Sequence, residues 1–181
     1  MPYEPPPELG NLSLAEIAAL VAERKLPPVD LWRPERTGDS EMRIAADGRW
    51  YHQGGEITRP AMVRAFATLL VRDEDGGHWL VTPQEKLTIV VADAALVAVD
   101  VTQVDGWLTF RLNTDELVIA GPDHPIRAAG DPDTPALYLA VRHGIEARLN
   151  RSTYLQIIDI ALQGDDLAVT SGGVTFALTP A

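Results

Sequence analysis

The chain has no cysteine among its 181 residues, which removes disulfides, Cys-ligated zinc or iron–sulfur centres and thiol catalysis together. Bases are scarce beside acids. Fifteen Lys and Arg face 26 Asp and Glu, and the resulting net charge of −11 opposes general affinity for DNA, RNA or an anionic membrane surface. No apolar run approaches the roughly 18 residues of a membrane span, because Arg64 divides one rich stretch and Asp93 and Asp100 divide another. Met1-Pro2-Tyr3-Glu4-Pro5-Pro6-Pro7 has neither the basic start nor the apolar core of a secretory signal. A cytoplasmic location is therefore expected, with the proline run as a frayed, extended arm.

Catalytic patterns are equally sparse. His52, His78, His124 and His143 show no i,i+4 pairing on a helix, and Asp73-Glu74-Asp75-Gly76-Gly77 lacks the later ligands of a calcium loop. The few serines sit in no nucleophile elbow, and the glycines form neither a phosphate loop nor a dinucleotide fingerprint. No cofactor, metal or catalytic residue is expected, and the chain reads as a non-enzymatic binding module.

What is present is the patterning of a globular protein, 46% apolar and 23% charged. Ser13 and Glu16 have capping-box spacing ahead of Leu14, Ile17, Leu20 and Val21, which predicts a first helix ended by Pro27-Pro28. A polar loop is expected over 33–41, then a hairpin about Asp47-Gly48 broken by Gly54-Gly55. Thr58 is the expected N-cap of a second helix, with Pro60 in its first turn and Met62, Val63, Phe66, Leu69 and Leu70 on one face. From His78 the period shortens to apolar runs at 79–81, 87–91, 96–104, 107–112 and 117–120, read as an antiparallel meander. A long loop over 121–135 precedes a hairpin about Gly144, a third helix from about Ser152 and a closing pair of strands.

A shift of 92 positions lays Thr58-Arg59, Met62, Val63, Phe66, Leu69 and Leu70 on Asn150-Arg151, Tyr154, Leu155, Ile158, Ala161 and Leu162. Each helix follows a hairpin, which suggests a duplicated unit. The expected organisation is an arm and helix over 1–28, a first repeat over 29–85 and a second over 86–181, in an α+β fold with mostly antiparallel sheets.

The charge is unevenly spread: residues 73–133 hold twelve acids and three bases, whereas Arg59, Arg64 and Arg72 meet no acid between 59 and 72. Arg142, Arg148 and Arg151 make a second basic island. Bases at helix starts suit an anion, because unpaired N–H groups and the macrodipole already favour negative charge there. The alternative is that these arginines pair with Asp73, Glu74 or Glu146. Lys86, one of two lysines, lies in an expected turn and is a candidate ligand for phosphate.

Two runs resemble the bacterial domain-of-unknown-function family 1285. The first is Gly48-Arg49-Trp50-Tyr51, Ile57-Thr58-Arg59, Phe66 and Leu69, continued by Arg72-Asp73-Glu74-Asp75-Gly76 and Trp79 through Lys86. The second is His124-Pro125-Ile126-Arg127 and Tyr138 through Arg151, so the resemblance covers about residues 13–165. Ala92-Asp93-Ala94-Ala95-Leu96 departs from the family's pattern of an acidic residue, Asp, Ala, Pro and Phe. The resemblance implies a duplicated architecture, a C-terminal half loosely like pleckstrin-homology folds, no assigned enzyme activity, and a nucleotide-type ligand between the repeats, linked to signalling. On that reading Arg59, Arg142 and Arg151 hold phosphate, Lys86 assists, and Trp50 or Tyr51 stacks on a base. The rival expectation is a protein-interaction adaptor that offers a signalling partner a groove or sheet edge of the pleckstrin-like half.

Overall fold

The computed structural model describes Gly10 and residues 12–181, so the N-terminal proline run lies outside the described residues. Two compact units emerge: one formed by 25–95 with 142–145, the other by the remaining described residues. The fold is α+β, with two six-stranded, mostly antiparallel sheets and three helices among the described residues.

The sheet of the first unit contains β1 (Arg36–Ile44), β2 (Trp50–His52), β3 (Gly55–Glu56), β4 (Leu70–Arg72), β5 (His78–Val81) and β6 (Glu85–Val91), with α1 (Leu14–Glu23) preceding them and α2 (Pro60–Ala67) following β3. Its order is β3-β2-β1-β6-β5-β4, in which only β1 and β6 run parallel. The Asp47-Gly48 hairpin forms as the residue types demand, with Gly48 at φ 89° and Ile44 opposite Trp50. Met42, Ile44 and Trp50 point into the core, and the Trp50 ring stacks on Phe66 of α2 at 6.3 Å. The polar run at 33–41 is largely strand rather than loop, since main-chain pairing with β6 does not require apolar side chains. Arg59, not Thr58, is the N-cap of α2, and Leu70 leaves the helix to begin β4.

In the second unit, β7 (Leu96–Val104), β8 (Trp107–Leu112), β9 (Leu117–Ile119), β10 (Ile126–Ala129), β11 (Ala136–Arg142) and β12 (Ile145–Leu149) form a sheet ordered β10-β11-β12-β7-β8-β9. Here β7 and β12 are the parallel pair. Helix α3 (Arg151–Ala161) and a separate hairpin of β13 (Ala168–Ser171) and β14 (Val174–Ala177) complete the unit. Alternate residues of β11 are buried, placing Leu137, Leu139 and Val141 in a core shared with Phe110, Leu112 and Ile157. Strand β10 occupies part of the expected loop at 121–135, its Ile126 buried.

Both sheets repeat one topology: two three-strand meanders joined by a central parallel pair made from the first and sixth strands. The helices do not follow that repeat. Helix α2 lies between the third and fourth strands, α3 after the sixth, so the 92-residue shift superposes helices that occupy different places. The repeat boundary expected at 85/86 also moves, because β6 hydrogen-bonds to β1 and β5 and the break falls at 95/96. The expected five-run meander from 79 to 120 is thus divided between two sheets. Helix α1, placed with the arm, packs Ile17 beside Leu12 against Leu117 and Ile119, and its last turn leads to Arg24, 3.4 Å from buried Glu116.

Candidate functional site

A cavity of about 510 Å³ lies within the first unit. Its wall is built by the 29–34 segment, by Val71 and Arg72 of β4, by Val81 and Lys86 where β5 gives way to β6, and by His143. Strand geometry explains the grouping, because β4, β5 and β6 are adjacent in the sheet and bring residues distant in sequence to one place. Arg33 closes the 29–34 segment on itself, donating from Nη1 to the carbonyls of Asp30 at 2.6 Å and Trp32 at 2.9 Å. The backbone N–H of Arg72 donates to the His143 carbonyl at 2.9 Å, and His143 itself has φ 48°, followed by Gly144 at 78°. Gly144 has no alternative there, since a Cβ would stand 2.7 Å from the Arg72 carbonyl oxygen.

Three basic residues, Arg33, Arg72 and Lys86, therefore share a wall with one acidic lining residue, Asp30. Lys86 is held in place. Its Nζ lies 3.3 Å from Asp73 Oδ1 and 4.4 Å from the centre of the Trp79 ring. Such a half-exposed pair is worth roughly 0–1 kcal/mol, with the cation–π contact of similar size, so an entering anion could exchange with Asp73 at small cost. Trp32 adds an aromatic surface to the same cavity. Among the described residues, no group of three or more His, Asp or Glu side chains is arranged to hold a metal ion.

The six residues singled out from sequence fare differently. Lys86 lines the cavity, on β6 rather than in a turn. Arg142 adjoins His143 but directs Nη2 to the Ala67 carbonyl at 3.2 Å, satisfying the C-terminal end of α2 where a cation complements the helix dipole. Arg59 is exposed at the opposite end of α2 and lines neither cavity described here. Trp50 is 1% exposed and packed on Phe66, so it cannot stack on a base. Tyr51 points to the other face of the sheet, as strand alternation requires, and Arg43 lies 4.0 Å from its ring centre. Arg151 belongs to the second unit. Of the acids offered as partners, Asp73 pairs with Lys86, whereas Glu146 accepts a bidentate fork from Arg127 at 2.7 and 2.9 Å.

Sequence reasoning missed Arg33, Arg72 and Trp32 as lining residues. Arg72 belongs to the first basic island, but its register, opposite His78, depends on pairing that the sequence does not show. Nothing in the spacing of Trp32 and Arg33 signals that their segment returns to this sheet.

Comparison with known proteins followed the same division of the chain. The model of the DUF1285 N-terminal domain matches residues 27–94, and that of the DUF1285 C-terminal domain matches 95–178. A crystal structure of a DUF1285 family protein from Silicibacter pomeroyi DSS-3 is similar with a TM-score of 0.77 and 40% identity, over 93% of this chain and 96% of that one. A second, from Shewanella baltica OS155, shares the fold at a TM-score of 0.54 and 24% identity, over 65% of this chain and 90% of that one. No curated protein matches the chain.

Proposed function

The chain belongs to the DUF1285 family, and from that premise we propose that it is a non-enzymatic module that binds a small nucleotide-like anion in bacterial signalling. The observation that carries this reading is the convergence of Arg33, Arg72 and Lys86 on one cavity in a chain whose net charge is −11. Two or three guanidinium and ammonium groups match the oxygens of a phosphate. At about 510 Å³ the cavity lies in the size range of small-ligand sites, roughly 300–1,000 Å³. Phosphate would exchange with Asp73 on Lys86 and reach Arg72, while Trp32 offers a face to a base.

This role needs neither nucleic acid nor membrane, and the protein would work in the cytoplasm. Among the described residues, no helix is long and apolar enough to cross a membrane. A thermal-shift panel of mono-, di- and cyclic nucleotides tests the reading. Ligand at a thousand times its Kd adds about 4 kcal/mol to stability, an increment readily seen as a raised Tm. Lys86→Met and Arg72→Ala should each remove most of that shift; a panel that leaves Tm unchanged, or shifts that survive both substitutions, would end the proposal.

A further inference from the structure

The second unit holds its own cavity, of about 450 Å³, among the loop before β11, strand β12 and the first turn of α3. Two basic residues, Arg148 and Arg151, line it together with Tyr154 and Asp133. Leu137 and Leu149 are buried beneath it, and the part-exposed apolar side chains on its wall are Ala136 and Tyr154. The Tyr138 hydroxyl lies 3.5 Å from Arg148 Nη1 and its ring centre 5.5 Å from Cζ, with Arg127 nearer the same ring at 4.2 Å. Arg151 is exposed, and among the described residues neither it nor the Asp133 carboxylate enters an ion pair.

The helix terminus contributes little by itself. Asn150 already caps α3, its Oδ1 accepting from the Thr153 N–H at 2.9 Å and its carbonyl from the Tyr154 N–H at 2.8 Å. Recognition must come from the side chains, and they offer both signs of charge beside the Tyr154 ring. A dianionic phosphate would meet repulsion from Asp133, which among the described residues has no basic partner to exchange. A zwitterion would not.

We propose that this cavity binds an α-amino acid with an apolar side chain. Its carboxylate accepts from the Arg151 fork on the wall that Arg148 shares, its ammonium donates to Asp133, and its side chain lies beside Tyr154 and Ala136. The site is separate from the nucleotide reading, since it shares no residue with the cavity of the first unit.

L-phenylalanine, titrated into the full chain and followed by calorimetry and by amide NMR shifts, is the test probe. Phenylalaninamide lacks the carboxylate, N-acetylphenylalanine lacks the ammonium, and phenyl phosphate offers a dianion instead. Saturable binding of L-phenylalanine is expected, with the amide weaker by roughly tenfold or more and the phosphate also weaker. Arg151→Ala should weaken L-phenylalanine roughly tenfold at unchanged Tm, with partial recovery in Arg151→Lys. Asp133→Asn should erase the preference over N-acetylphenylalanine, and Lys86→Met should change nothing. The proposal is overturned by no saturable binding up to about 10 mM, by equal affinity for the amide, by tighter binding of phenyl phosphate, or by an Arg151→Ala affinity equal to that of the unaltered chain.

Discussion

Ser171 replaces a rung of the β8–β9 ladder with its side chain, and removing its hydroxyl should be expensive. The register sets Thr109 opposite Ile119 and Phe110 opposite Val118, which brings Leu108 opposite Ala120. The Ala120 N–H donates to the Leu108 carbonyl at 2.9 Å, but the reciprocal bond is not direct. Instead the Ser171 hydroxyl accepts from the Leu108 N–H at 2.8 Å and donates to the Ala120 carbonyl at 2.7 Å, with Ser171 0% exposed. Ser171→Ala keeps the Cβ and strands one donor and one acceptor out of reach of water. At roughly 1–3 kcal/mol for each unsatisfied buried group, tempered by partial closure of the ladder, we expect a loss of about 2–4 kcal/mol. Equilibrium urea unfolding should show a lower midpoint at an unchanged m-value. Tm should fall by about 5–15 °C, at 2–4 °C per kcal/mol for a chain of this length. Hydrogen exchange locates the effect, because the Leu108 amide should lose protection more than its neighbours. A loss below about 0.5 kcal/mol, or a large loss with Leu108 exchange unchanged, would refute the bridging role.

Three further substitutions test the close approaches. Gly172→Ala places a Cβ into the Trp107 indole at φ 57°, and should cost about 1–3 kcal/mol with a changed Trp fluorescence maximum. Gly144→Ala sets a Cβ 2.7 Å from the Arg72 carbonyl oxygen at φ 78°, where backbone rather than a mobile side chain must yield. A loss of about 2 kcal/mol or more is expected in urea unfolding; a neutral result would show that the turn at 143–144 sits elsewhere. Asn150→Ala removes the α3 cap, whose Oδ1 accepts from Thr153 N, and should lower stability by about 0.5–2 kcal/mol, with Asn150→Asp retaining most of it in the same assay.

Local features were legible from residue types alone. Ser13 caps α1, accepting from Glu16 N at 3.2 Å, the Asp47-Gly48 and His143-Gly144 turns form where glycine permits positive φ, and Asn150 caps α3. These depend on neighbours within three or four positions. Strand partners do not: β6 reads like the strands after it, yet pairs with β1, some 48 residues earlier, through Ser40 Oγ and the Thr88 carbonyl as well as the ladder. Polar β1 escaped notice because its neighbours, not its own pattern, make it a strand.

The candidate sites divide along the same line. Composition settled that this chain has no thiol chemistry and few bases, and the two arginine islands were visible as sequence. Whether a base faces a cavity, caps a helix or stands in solvent is decided by long-range packing: Lys86 meets Asp73 and Trp79 only because β4, β5 and β6 lie side by side, and Arg142 reaches Ala67 across 75 positions. Trp50 and Tyr51 show the limit most plainly. Alternation guarantees that they face opposite sides of a strand, but only the placement of α2, with Phe66 on Trp50, chose which side became core.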